Sequence, residues 1–450
     1  MSYRTLNPAT EELVRTYPEH SWKEAKEAAR AALEAFSSWR EVPFHERSTL
    51  FKKLATLLRA EKENHASWIV REMGKPVSQA EAEIEKCAVG CEYYAENAEK
   101  SLTEEVISTD AGKSYVRYDP LGPILGIMPW NFPFWQVFRF AVPALMAGNV
   151  ALLKPAPNVP GCALEIAKIF QKAGFPDGVF QTLFLNNETT ARLIESGAIQ
   201  GVSLTGSTQA GREVAQIAGR SLIKTVLELG GSDPFVVFDD ADLEKTIPIA
   251  IRARMLNTGQ SCIAAKRFIL MKGIAPRFKD LFLKAVKNLK TGDPNDRKND
   301  LGPLAREDLL LNLMKQVEGA VASGAKVLLG GKRIERKGYF YEPTMLEGAI
   351  SSDQEIFGPV AVLMTAVTEE EAIELANRTC YGLGASLWTE NVSKAEGLAK
   401  RIEAGSVFIN GMVHSDPRLP FGGIKQSGYG RELSVVGLRE FVNIKTVWIA

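Results

Sequence analysis

Histidine is scarce. The 450 residues hold four, with His20, His45 and His65 near the start and His414 near the end. No HExxH occurs and no histidine stands near Cys262 in sequence, which argues against zinc chemistry. The five cysteines (Cys87, Cys91, Cys162, Cys262, Cys380) are odd in number and form no CxxC. A disulfide framework is therefore not expected, and a reducing cytoplasm fits. Charge of one sign is not in excess, since 54 Lys and Arg balance 54 Asp and Glu. Nothing in that balance points to nucleic acid. The opening MSYRTLNPATEEL has no apolar core of a signal peptide, and no apolar run reaches membrane-spanning length. GxGxxG is missing as well. The nearest approach to a phosphate loop, Gly206-Ser-Thr-Gln-Ala-Gly211, continues with Arg212-Glu213 instead of Lys-Ser/Thr, which excludes NTPase chemistry.

What is present is α/β alternation. The length exceeds one core, so two or three substructures are expected. The first hundred residues read as helices, with spaced apolar positions in Trp22–Trp39 and again over 47–73. Cys87 and Cys91 fall on one helical face, where core packing is a better reading than a two-ligand metal site. From residue 124 the short apolar runs ILGIMPW, VALLKP, VFQTLFL, GVSLTG and TVLELGG recur about every 25 residues with helical stretches between them. A second series follows from about residue 233: PFVVF, RFILM, KVLLGG, PVAVLMTAV, LGASLWT and SVFING. Such alternation implies parallel sheets covered on both faces. The segments 114–119 and 440–449 read as additional β-structure. The second leaves an apolar edge, to be paired with another subunit or along its own sheet; the subunit reading is favoured.

Several residues admit a chemical and a plain reading. Cys262, in LNTGQSCIAAKRF, is a nucleophile or a small buried hydrophobe. Glu228 in VLELGG is a carboxylate inside an apolar strand, hence a base with a raised pKa, or a strand-end charge facing solvent. Asn131 in PWNFPFW can donate to an oxyanion or satisfy its own loop. Arg139 is alone in an apolar helix and meets a carboxylate or snorkels to the surface. Lys154 ends a strand and faces a ligand crevice or solvent. Gly206 and Ser207 offer N–H groups to an anion or cap a helix. With no histidine at hand a carboxylate base is expected for Cys262, though His414 stays open.

In chain order, PWNFPFW, LLKPA, TGST, LELGG, NTGQSC, EIFGPV and PFGGIKQSGYGRE resemble the aldehyde dehydrogenase superfamily, and the resemblance runs from NPATEE (7–12) nearly to the end. LKPAPNV, LELGGSDPF, NTGQSCIAAKRF and VNIKTVW are most similar to bacterial succinate-semialdehyde dehydrogenases. The resemblance implies a Rossmann-like cofactor domain (1–105 and 122–228, with a return near 411–439). It also implies an α/β catalytic domain (229–410) and a small β oligomerisation arm (106–121 and 440–450), assembled as a homodimer or homotetramer.

It implies Cys262 as nucleophile, the Asn131 amide and Cys262 N–H on the oxyanion, hydride transfer to nicotinamide, and Glu228 activating the hydrolytic water. Lys154, Gly206 and Ser207 would hold the cofactor, with Trp130, Leu229, Glu355 and Phe357 around its nicotinamide end. Pro157 replaces a glutamate that NAD-preferring relatives place on the ribose, so NADP is expected to be accepted alongside NAD. Arg139 matches an arginine that binds the substrate's distal carboxylate. A second family arginine is replaced by Leu256, for which Arg254 would substitute, with Ser415 or Arg418 assisting. Competing readings are a dehydrogenase for another aldehyde, such as glutarate semialdehyde or a non-acidic one, and a silent family member acting as a binding protein.

Overall fold

The computed structural model describes residues 3–348 and 354–450. Two mostly parallel sheets organise the chain, as the alternation predicts. The first runs, edge to edge, Gly428–Tyr429, Lys224–Glu228, Gly201–Thr205, Pro123–Met128, Val150–Pro155, Phe180–Thr182. Its last five strands are parallel, and Gly428–Tyr429 returns antiparallel. Every residue of Val150–Pro155 is buried, which is why its sequence is continuously apolar up to Lys154. The chain leaves Pro123–Met128 outward to one side, then comes back to Gly201–Thr205 on the other. That reversal opens a crevice at the carboxyl ends of the central strands, where ligands of open α/β sheets sit.

The second sheet orders Lys326–Leu329, Thr344–Glu347, Val360–Ala366, Ala265–Met271, Asp233–Val237, Gly384–Trp388, Ser406–Ile409. All its pairs are parallel except the first. Each sheet has its own apolar core, one built mainly from residues before 230 and the other mainly from residues after it.

Helix Trp22–Trp39 has the bounds its sequence suggests. Ser21 and Glu24 form a capping box at its start, and Ala25, Ala29, Ala32 and Trp39 make its buried stripe. Two expectations are corrected. Residues 47–73 are not one helix but parts of two, Phe44–Ala60 and Lys62–Met73, broken at Glu61. The first residues are not helical: Tyr3–Asn7 and Glu12–Tyr17 form an antiparallel hairpin. The terminal Val442–Ile449 pairs along its own sheet, antiparallel to Lys113–Pro120, which in turn pairs with Glu105–Val106. Val442–Ile449 is itself an edge strand of that sheet, and its other side has no partner strand among the described residues. The same sheet leaves Val106, Ile444, Trp448 and Ile449 exposed. Cys87 and Cys91 lie fully buried on Val77–Ser101, as core residues. No helix among the described residues is long and apolar enough to cross a membrane.

Candidate active site

Cys262 follows a strained loop. Asn257, Thr258 and Gly259 stand consecutively in the left-handed region with φ of 57°, 55° and 73°. For the two non-glycine residues this costs about 1–3 kcal/mol each, so surrounding bonds must hold the conformation. The Asn257 N–H donates to Gln79 Oε1 at 2.7 Å, and its side-chain amide donates to the Asn131 carbonyl at 2.8 Å. Thr258 Oγ1 accepts from the Gly302 N–H at 3.1 Å, and Gln260 Oε1 accepts from the Ala305 N–H at 2.9 Å. Arg254 completes the clamp. Fully buried, it donates through Nη2 to the carbonyls of Gly259 and Gly358 and through Nη1 to that of Ala265. The expectation that Arg254 substitutes for a substrate arginine is therefore corrected: both its Nη groups donate to backbone carbonyls that shape the nucleophile loop, and it is not part of the cleft lining.

Beside Cys262 runs LELGG. A Cβ on Gly231 would lie 2.6 Å from the Cys262 carbonyl oxygen, so only glycine lets the two segments approach. Glu228 ends its strand buried, with neither carboxylate oxygen hydrogen-bonded, and a Cβ on Gly422 would come within 2.7 Å of its Oε1. The solvent-facing reading of Glu228 is excluded by that burial. Burial pushes its pKa well above the usual carboxylate range, against the pull of Arg139. Burial likewise pushes the Cys262 thiol up to about 12, with the nearby Lys266 ammonium opposing. Lys266 Nζ donates to the Ser261 carbonyl at 2.9 Å and pairs with Glu355 at 3.2 Å.

Asn131 donates one amide hydrogen to the Gln260 carbonyl at 3.1 Å, which ties it to the nucleophile loop. An amide carries two hydrogens, so one stays available. The Cys262 N–H has no protein acceptor among the described residues.

Cys262 opens into a cleft of about 590 Å³ between the two sheet systems, lined also by Lys86, Trp135, Arg139, Leu256, His414 and Ser415. Arg139 reaches it, but its Nε is ion-paired with buried Glu432, Nη2 donates to Thr205 Oγ1 at 3.3 Å, and the guanidinium lies 4.6 Å over the Phe421 ring. Ser203 Oγ donates to the other Glu432 oxygen at 3.1 Å. Arg139→Ala would leave Glu432 buried without a counter-charge, and about 3–5 kcal/mol of stability should be lost. A denaturation midpoint that does not move would refute this. Ser415 lines the cleft as expected, whereas Arg418 folds onto Asp416 with Nη2 at 2.6 Å and is not part of the lining. His414 lies exposed, its Nδ1 3.1 Å from the Met412 carbonyl oxygen.

The residues assigned to the cofactor gather at the carboxyl ends of the first sheet. Lys154 is buried, forms no ion pair among the described residues, and is pushed down to about 8 by burial. Pro157 is held by the Arg4 N–H, which donates to its carbonyl at 3.0 Å, so the N-terminal hairpin braces this loop. Ser207 does cap the helix Thr208–Arg220, accepting from the Ala210 N–H, and the Gly206 N–H donates to the Glu228 carbonyl at 3.0 Å. What this helix end leaves for an anion is the Thr208 and Gln209 N–H groups, which have no partner inside the helix. Leu229 packs against Gly211, and Trp130 meets Phe357 edge-on with centroids 5.8 Å apart.

A sequence model of the Aldehyde dehydrogenase family matches residues 1–447. The chain belongs to that family. Among relatives of this aldehyde dehydrogenase, the Synechocystis protein named probable succinate-semialdehyde dehydrogenase, NADP(+), is 51% identical over 454 residues, all of both chains. Succinate-semialdehyde dehydrogenase 1, NADP(+), of Mycobacterium tuberculosis is 48% identical over 458 residues, again all of both. In structure, the succinic semialdehyde dehydrogenase of Streptococcus pyogenes, solved with NADP+ as the cofactor, superposes with a TM-score of 0.97 at 36% identity over 99% of each chain.

Proposed function

We propose that this aldehyde dehydrogenase oxidises succinate semialdehyde to succinate with NADP, working in a reducing cytoplasm where its five free cysteines persist. The observation that carries the reading is the Cys262 thiol opening on the cleft, with the unpaired buried carboxyl of Glu228 near enough for its charge to act on that thiol and the Asn131 amide tied to the same loop through the Gln260 carbonyl. Full-length identity to enzymes named for that substrate supports it.

In this reading Cys262 Sγ loses its proton and attacks the aldehyde carbon, since the thiolate is the nucleophile. The oxyanion of the thiohemiacetal accepts hydrogen bonds from the free Asn131 amide hydrogen and the Cys262 N–H. When bound, the nicotinamide cofactor supplies the hydride acceptor. Oxidation leaves a thioester on Cys262, and Glu228 takes a proton from the water that hydrolyses it.

The unit of 1–105, 122–228 and 411–439 binds the cofactor, with Lys154 at the ribose and the Gly206–Ser207 turn at the pyrophosphate. Trp130, Leu229, Glu355 and Phe357 enclose the nicotinamide end. A buried lysine without an ion-pair partner among the described residues and a helix end with spare N–H groups suit such an anion. Pro157 leaves the ribose 2′ position neither bonded nor repelled, which suits a 2′-phosphate. The unit 229–410 carries the nucleophile. Segments 106–121 and 440–450 form the contact of a homodimer or homotetramer through the apolar residues they leave exposed; a monomeric mass by sedimentation would refute that assembly.

The test is kcat/KM for succinate semialdehyde, glutarate semialdehyde and butyraldehyde, each with NADP and NAD. Succinate semialdehyde with NADP should rank first by at least about tenfold over butyraldehyde. Equal values for the charged and uncharged aldehydes would overturn the substrate.

A further inference from the structure

A four-carbon aldehyde with a distal carboxylate needs a cation at the far end of the Cys262 cleft. Arg139 is the residue family resemblance offers, but Glu432 already neutralises it. Lys86 is the other cation in the lining. It projects from the helix Val77–Ser101, with Nζ 4.5 Å over the Trp135 ring and 2.7 Å from Ser415 Oγ. No carboxylate among the described residues forms an ion pair with it, and those nearby are engaged elsewhere. Glu83, one turn earlier, pairs with Lys75 and accepts from the Phe134 and Trp135 N–H groups at 2.9 and 3.0 Å. Asp416 is held by Arg418 at 2.6 Å.

We propose that Lys86, together with the Ser415 hydroxyl, is the specificity-determining site that binds the distal carboxylate of the substrate. This rests on the substrate reading above and names the group that enforces it.

The hydrogen-bond directions fit. Ser415 Oγ accepts from Lys86 Nζ and also from Trp135 Nε1, at 2.9 Å. With both lone pairs taken, its own proton has to point at a further acceptor. The ammonium has two hydrogens left. One carboxylate in the cleft would therefore meet two charge-assisted donors on Lys86 and Ser415. Burial and the charge of Arg139 push the Lys86 ammonium down to about 8, which is the behaviour of a cation lacking its anion; a bound carboxylate would restore it. Trp135 fixes the ammonium in place through a cation–π contact.

The experiment compares steady-state kinetics on succinate semialdehyde and butyraldehyde for wild type, Lys86→Met, Lys86→Arg, Ser415→Ala and Arg139→Ala, with NADP affinity and thermal midpoint measured on each. Lys86→Met should lower the ratio of the two kcat/KM values by about 10–100-fold, through a raised KM for the charged aldehyde. Lys86→Arg should recover part of that ratio, and Ser415→Ala should lower it by a smaller factor. Should Lys86→Met fail to fold, Lys86→Gln keeps a polar, uncharged side chain there and must show the same loss. A ratio within twofold of wild type in a folded Lys86 variant overturns the proposal, as does a ratio that collapses only in Arg139→Ala. The first outcome leaves the substrate reading intact. A wild-type enzyme without preference for the charged aldehyde overturns the substrate reading and this site with it.

Discussion

Cys262→Ser is expected to lower turnover of succinate semialdehyde by at least about a thousandfold while cofactor affinity stays within about twofold. The serine hydroxyl is a far weaker nucleophile, and among the described residues no histidine is hydrogen-bonded to residue 262 to activate it. The substitution should not disturb the loop. Its shape depends on Arg254, Gln79 and Thr258, and on the close pass of Gly231 against the Cys262 carbonyl, none of which involves Sγ. Stopped-flow absorbance of the reduced cofactor reads the result. A burst of one equivalent in Cys262→Ser would disprove the nucleophile assignment.

Glu228→Gln should give the opposite pattern in time. Acylation still occurs, so reduced cofactor appears in a burst, but hydrolysis of the thioester slows by about 10²–10⁴-fold, the range for losing a general base. Rapid quench with mass spectrometry of Cys262 peptides should find the acyl group retained. The pH dependence follows from the raised pKa of Glu228. Its protonated form predominates to a higher pH than an exposed glutamate would allow, and only the carboxylate accepts a proton from water. In wild type the hydrolytic rate should therefore climb as pH rises through that elevated value, and this limb should vanish in Glu228→Gln. A flat wild-type profile, or an unchanged limb in the variant, would sink the assignment. Glutamine is close in shape to glutamic acid, so the close approach of Gly422 to this side chain is preserved and a large stability loss is not expected.

The parallel strands were legible because burial on both faces demands unbroken apolar runs. VALLKP and Val150–Pro155 coincide residue for residue. Most of the other predicted strands are met within a few residues. The hairpin Tyr3–Asn7 with Glu12–Tyr17 was not legible. Leu13 and Val14 stay exposed there and only a few residues are buried, so no period of two emerges. The break at Glu61 is silent for a related reason: the apolar stripe continues on both sides of it.

By itself the sequence determined the fold class and the family, and it singled out Cys262, Glu228 and Asn131, because their motifs are local and ordered along the chain. Only the tertiary structure decided what the arginines and Lys86 do. Arg254 carries the same charge as a substrate clamp but is spent on three backbone carbonyls. Arg139 is spent on Glu432, far along the chain. Lys86, one charge among many on a polar helix face, gains its place from Trp135 and from Ser415, 329 residues away. A charge acts on a ligand only if nothing nearer neutralises it, and which partner is nearer is a property of packing.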